Sequence, residues 1–176
     1  MAALSHARMA EIAEAMGAFK LAGPEGRPFD ATGKTAWGEW HDPMYVQLRT
    51  DGMVLLFDMA FTGRDGVRRT IPATAFSNGA DIPRYVQPVA GESMKGPYVR
   101  SAMGHDHWLL TLSDEEAHTL FYDAMRTDGC TEEQADWFYH AVVGYTWWTR
   151  MGPLRSFLRS SWRLARPILR RVLPLF

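Results

Sequence analysis

The stretch "MYVQLRTDGMVLLFDMAF", residues 44–61, decides the fold class. Met44–Arg49 and Met53–Phe61 are both rich in β-branched, aromatic and other apolar residues, the composition of strands. Asp51-Gly52 stands between them, and this dipeptide accepts the positive φ angles of a tight turn. The stretch therefore predicts a β-hairpin. Downstream, "TGRDG" (62–66) reads as a second turn and "VRRTI" (67–71) as a third strand. Pro72 ends that strand, because proline has no N–H to give to a ladder. The expectation is a three-stranded antiparallel meander.

Residues 73–97 carry Gly79, Pro83, Pro88, Gly91, Gly96 and Pro97 and read as one long irregular connection. A connection of this length in a compact domain is more often functional than idle. Helical patterning then takes over. One helix is expected from Tyr98 to about Leu110. A second starts after Ser113, where "SDEE" fits a capping box with Glu116, and ends near Asp128-Gly129. A third starts at "TEEQ", the same box at Thr131 and Gln134, and runs to about Trp148. Upstream, "MAALSHARMAEIAEAM" (1–16) contains Glu11 and Glu14 and lacks a basic start before an apolar block. It reads as a short amphipathic helix and not as a secretory signal. "LAGPEGRPFDATGK" (21–34) reads as loop.

The fold class that follows is α+β: a small antiparallel β-meander, then a three-helix unit, then a basic amphipathic C-terminal helix. Residues 1–150 are expected to form a single domain and 151–176 a tail. The single cysteine, Cys130, excludes an intrachain disulfide framework and a multi-cysteine zinc site. No apolar run approaches the roughly 20 residues needed to span a bilayer. Charge is distributed unevenly. Pro153–Phe176 holds six arginines and no acid, whereas the first 150 residues hold 13 basic residues against 20 acidic ones. The body is thus −7 and the tail +6.

"GHDHW" (104–108) is the strongest candidate for chemistry. On a helix, Ala102, His105 and Leu109 share a face, with Asp106 offset by roughly 100° and His107 by roughly 200°. His105 can therefore point inward with Asp106 at its edge, while His107 faces solvent or the chain exit. His118 lies on the next helix with Phe121, Tyr122 and Met125, and a short connection would return it toward His105 or Asp106. A His-Asp-His set can hold a divalent metal with open positions. Without metal, the same groups make a general base oriented by a carboxylate. A third alternative is a partly buried His118 that only bonds a neighbour. Asp81, in "SNGADIPRYV", either caps and bonds its own loop or joins the site. His140, in "DWFYHAVVGYTWW", reads as a satisfied packing residue. The sequence has no nucleophile elbow and no phosphate-cradling loop.

The motifs occur in a fixed order: an Ile71-Pro72 strand end, a loop ending Ile82-Pro83-Arg84, His105-Asp106, then "LFYDAMRTDG" and "WFYHAVVGY". This order resembles the domain-of-unknown-function family 1353, found in tailed phages, prophages and bacteria, over roughly residues 44–148. The family loop reads Thr-Asp-Gly-Ala-Ser-Ile-Pro-Arg, where this chain has Ser77-Asn78-Gly79-Ala80-Asp81-Ile82-Pro83-Arg84. The family also places Asp where His118 stands. The resemblance therefore implies a retained His-Asp pair, two carboxylate positions changed to Asn78 and His118, and a new carboxylate at Asp81. Such a site is either rebuilt with other ligands or decayed.

In the tail, Arg155, Arg159, Arg163, Arg166 and Arg170 recur every three or four residues and occupy an arc of roughly 80° on a helix. Phe157, Leu158, Leu164, Ile168, Leu169 and Val172 lie opposite, with Trp162 at the border. Pro153 suits a first turn and Pro167 should kink the helix. This pattern fits an interfacial helix on anionic lipid, or a helix docked on an acidic protein surface, its own or that of another phage protein. Specific nucleic-acid binding is not expected, since the apolar face has no role there and the acidic body repels phosphate.

Two classes of function follow. One is a phage-lineage, hydrolase-like enzyme acting on the cell envelope (peptidoglycan or lipid). Its water would be activated by one divalent metal (zinc, manganese or calcium) or by His105-Asp106 alone. The other is a non-catalytic virion, tail or membrane-docking protein with a decayed site. Either form is expected in the virion, in the host cytoplasm or at the membrane periphery, without a transmembrane span.

Overall fold

The computed structural model of the chain describes residues 5–17, 19–20, 29–30, 32–79 and 96–150. Among them the order is α1 (His6–Ala15), β1 (Phe19–Lys20), β2 (Gly38–Trp40), β3 (Tyr45–Arg49), β4 (Gly52–Leu55), β5 (Met59–Gly63), β6 (Arg68–Ile71), β7 (Phe76–Ser77), α2 (Val99–Trp108), α3 (Asp114–Thr127) and α4 (Glu132–Arg150). The chain divides into two units, Met1–Tyr139 and His140–Phe176. The strands and α1–α3 belong to the first, and α4 begins in it.

The α+β class is the expected one, but the meander is not a single sheet. One sheet has the order β1-β3-β4-β7 and the other β2-β5-β6. Met53–Phe61, expected as one strand, breaks at residues 56–58. The Leu56 N–H donates to the Tyr45 carbonyl at 3.0 Å, and the Leu55 N–H to that of Ala75 at 2.8 Å. The Asp58 carboxylate accepts from the Ala73 N–H at 2.7 Å. These bonds swing the chain from one sheet into the other, so the region is two hairpins. The exposed Asp58 is the one polar residue in this apolar run and stands at the break.

The first turn also differs from expectation. Arg49 pairs with Gly52, so the two turn residues are Thr50 and Asp51. Neither Asp51 nor Gly52 has a positive φ. Gly52 is required for another reason: a Cβ there would run into the Ser77 carbonyl oxygen and lie 2.8 Å from the Phe76 ring. It is the neighbouring β7 that needs the glycine. The second turn is as expected, with Gly66 at φ 73° and its N–H on the Gly63 carbonyl at 3.0 Å. Pro72 follows the last residue of β6.

Three of the helices start where side-chain caps place them, whereas α2 starts after Tyr98 without one. The Ser5 side chain accepts from the Arg8 N–H to open α1. Ser113 and Glu116 form a complete capping box on α3, and Thr131 and Gln134 exchange the same pair of bonds at α4. Gly129, at φ 89°, follows the end of α3. α2 packs on β7 and on α3, and α3 packs on β2 and β5. Trp40, Phe61 and Trp108 fill the space between, all fully buried, with ring centroids 4.7 to 6.3 Å apart. Three large aromatics removed from water, at about 25 cal/mol per Å² of apolar area, are a main source of stability. A smaller cluster joins α1 to the sheet through Met9, Ala13 and Tyr45, with Leu56 and Phe57 against it.

Candidate functional site

α2 is buried almost all round: Val99 to His105 and Trp108 are all buried. Gly104 makes this possible, since a Cβ there would stand 2.8 Å from the Trp108 ring. Residues 109–113 join α2 to α3, and the capping box fixes where α3 begins. The result is a direct contact between the two histidines. His105 Nε2 lies 2.9 Å from His118 Nδ1. His105 also stacks on Phe121 at 4.6 Å between centroids and 26° between planes. The residues are 7% and 3% exposed. Burial pushes the His105 pKa down to about 3, and the adjacent His118 adds to this. Near neutral pH His105 is therefore an uncharged imidazole, and one ring N–H of the pair donates to the other ring.

The other expected site residues are placed differently. Asp106 is half-buried, one position on and roughly 100° further round α2. His107 is also half-buried, and burial lowers its pKa. Among the described residues, no third His, Cys, Asp or Glu joins His105 and His118 in a group able to hold a metal ion. Asn78 directly follows β7, the strand that packs on α2. Asp81 lies outside the described residues. So do Arg155, Arg159, Trp162, Arg163, Arg166 and Arg170. His140 is exposed, at the start of the second unit.

Two polar clusters were not anticipated from the sequence. In the first, the buried Arg100 guanidinium donates from Nε to Asp128 Oδ1 at 3.0 Å and from Nη1 to the Asp30 carbonyl at 2.7 Å. The Ser101 hydroxyl donates to Asp128 Oδ2 at 2.9 Å. Arg100 also lies over the Trp40 ring at 4.7 Å. Burial pushes the Asp128 carboxyl pKa up, and Arg100 opposes this. A sequence signal was available: a cation in the first turn of α2 and a carboxylate at the end of α3 both oppose their helix dipoles. Each therefore calls for a partner.

The second cluster walls a pocket of about 520 Å³ lined by Arg64, Asp65, Arg69, Glu115, Glu116, Thr119, Leu120 and Asp123. Its charges are largely paired within the wall. Arg69 holds Asp65 through two bonds, at 3.1 and 2.6 Å, and Arg64 Nε lies 2.8 Å from Asp123 Oδ1. Burial raises the Asp123 pKa against the pull of Arg64. The imidazole pair does not line this pocket.

The chain belongs to the family described as "Protein of unknown function (DUF1353)", whose match covers residues 53–142. It is similar to two proteins of Sinorhizobium fredii (strain NBRC 101917 / NGR234). It is 28% identical to the uncharacterized protein y4jT over 138 residues, which is 77% of this chain and 36% of that protein. It is 30% identical to the uncharacterized protein y4iH over 95 residues, which is 52% of this chain and 39% of that one. The chain thus spans little more than a third of the length of the curated relatives it matches. No solved structure matches it.

Proposed function

We propose that this chain is a phage-lineage protein that acts by docking, on a membrane surface or on a tail component, and not by chemistry at His105. One observation carries this reading: His105 is sealed against His118 and Phe121 and has a pKa of about 3. A general base works best with a pKa near the working pH. An imidazole more than three units below neutral accepts protons too weakly to activate water. At 7% and 3% exposure, neither ring is open to a polymeric or lipid substrate. His118, where the resemblance implies a family carboxylate, is part of a core contact.

The test is to incubate the full chain with purified peptidoglycan and with phospholipid vesicles, each with zinc, manganese or calcium added. The expected result is no release of soluble fragments or fatty acid beyond that seen with His105→Ala. Release that depends on His105 would contradict the docking reading.

A specific observation favours a second reading. Two imidazole nitrogens 2.9 Å apart are the donor type that zinc or manganese takes, and both would face a metal once it displaces the proton shared between the rings. Calcium, which takes oxygen ligands, fits this pair least. A catalytic metal there would need a further ligand, and Asp81 is the candidate by sequence. This reading expects about one zinc or manganese per purified chain, lost in His118→Ala. A chain refolded with zinc that retains none rules it out.

A further inference from the structure

We propose that the pocket between the β5–β6 turn and α3 binds a small aliphatic amine, whose ammonium group donates to Asp123 and Glu115. The site is separate from the histidine pair and does not depend on the docking reading. The first observation is a buried carboxylate with acceptor capacity left over. Asp123 is 2% exposed and lines the pocket. Arg64 Nε stands 2.8 Å from its Oδ1, but the N–H is not directed at that oxygen, which accepts no hydrogen bond. The Arg64 guanidinium lies instead over the Trp37 ring at 4.7 Å. A buried carboxylate normally has its oxygens hydrogen-bonded, and leaving one bare is costly. Asp123 Oδ2 borders an open notch above Gly63. A Cβ on Gly63 would stand 3.9 Å from Asp123 Oδ2, 3.3 Å from Asp65 Oδ1 and 2.8 Å from a Leu120 methyl. Gly63 does not have a positive φ, so the backbone does not demand glycine there. The missing side chain leaves space, with carboxylates at its sides and an apolar wall at Leu120.

The second observation is charge. The carboxylates of Asp65, Glu115, Glu116 and Asp123 outnumber the guanidiniums of Arg64 and Arg69 in the pocket wall. Asp65 is satisfied by Arg69 and by the Val67 N–H. Glu116 is satisfied by its bonds to Ser113. Among the described residues, Glu115 is bonded through its main chain, where its carbonyl accepts from the Thr119 hydroxyl at 2.8 Å, and its carboxylate is left over. The surplus is therefore negative and disfavours an anionic ligand. A metal ion needs ligands that converge on one point, and among the described residues no three His, Cys, Asp or Glu do so. An ammonium group instead carries three separate donors and no acceptor, and it reaches carboxylates that stand apart. The volume of about 520 Å³ is that of a small-molecule site, and Leu120 would meet the ligand's carbon chain. Burial raises the Asp123 pKa against the pull of Arg64. A second cation beside the carboxylate offsets that cost of burial.

The test is an NMR titration of the isotope-labelled full chain with cadaverine, an aliphatic diamine. Pentanediol serves as the neutral control and magnesium chloride as the metal control. The expected result is a saturable shift at the Gly63 amide and the Leu120 methyls with cadaverine and with neither control. Asp123→Asn should abolish it. Glu115→Gln, at an exposed position, should leave the melting temperature unchanged and weaken binding by about tenfold or more. If Asp123→Asn does not fold, Glu115→Gln decides alone. Affinity equal in Glu115→Gln and the wild type overturns the amine site, and so does an equal response to pentanediol. An absent cadaverine shift also overturns it, and a saturable response to magnesium chloride alone assigns the pocket to a metal ion instead. The docking reading stands or falls separately from each of these results.

Discussion

A histidine with a pKa of about 3 makes the fold sensitive to acid. Between that value and its ordinary value near 6.5, the unfolded chain binds a proton that the folded chain refuses. The His105 contribution to stability is therefore complete above pH 6.5 and declines as pH falls toward 3. Chemical denaturation at a series of pH values should show the wild type losing stability over this window and His105→Phe losing less. His105→Ala should destabilise at neutral pH by about 2–4 kcal/mol, since it leaves a cavity against Phe121 and removes a buried hydrogen bond. Arg100 and Asp128 predict a larger effect. Asp128→Ala leaves a buried guanidinium without its carboxylate and should cost about 3–5 kcal/mol, whereas removing both charges in Arg100→Met/Asp128→Leu should cost less than the sum of the single changes. A double-mutant cycle by thermal unfolding measures this.

At the scale of the elements, the helix starts were legible and the sheets only partly so. Ser113–Glu116 and Thr131–Gln134 are local codes, complete within four residues, and they form as read. Ser113→Ala should lower stability by about 1 kcal/mol, measurable in urea. The division of Met53–Phe61 was only half legible: Asp58 interrupts the apolar run, but the partners that fix the break, Tyr45, Ala73 and Ala75, are distant. β2, of three residues, and β7, of two, are too short to show alternation. Gly52 carries a clear prediction. Ala there should destabilise the β4–β7 pairing, because the obstruction is backbone and cannot yield as a flexible side chain would. The turn reading of Gly52 puts the loss in the β3–β4 turn. Hydrogen exchange at the Phe76 and Ser77 amides, compared with those of Thr50 and Asp51, separates the two.

For the whole molecule, the approach of His105 to His118 was legible from spacing, since two helices joined by a short connection return one residue to the other. Its consequence was not, because the degree of burial that silences an imidazole depends on Phe121 and on how Gly104 and Trp108 close α2. The charge asymmetry was plain in the composition. The exposure of Tyr145 and Trp147 ahead of the arginines was not, since the same residues on a buried helix would read alike. We propose no chemistry at the histidine pair and interaction through the arginine-rich end of the chain. The most direct measurement is the ¹⁵N imidazole NMR spectrum of the full chain, titrated from about pH 8 to about pH 5 with and without one equivalent of zinc. The account predicts that His105 stays neutral throughout and that zinc leaves both rings unshifted. A His105 that protonates near pH 6 to 7, or a stoichiometric zinc shift at both His105 and His118, would contradict it.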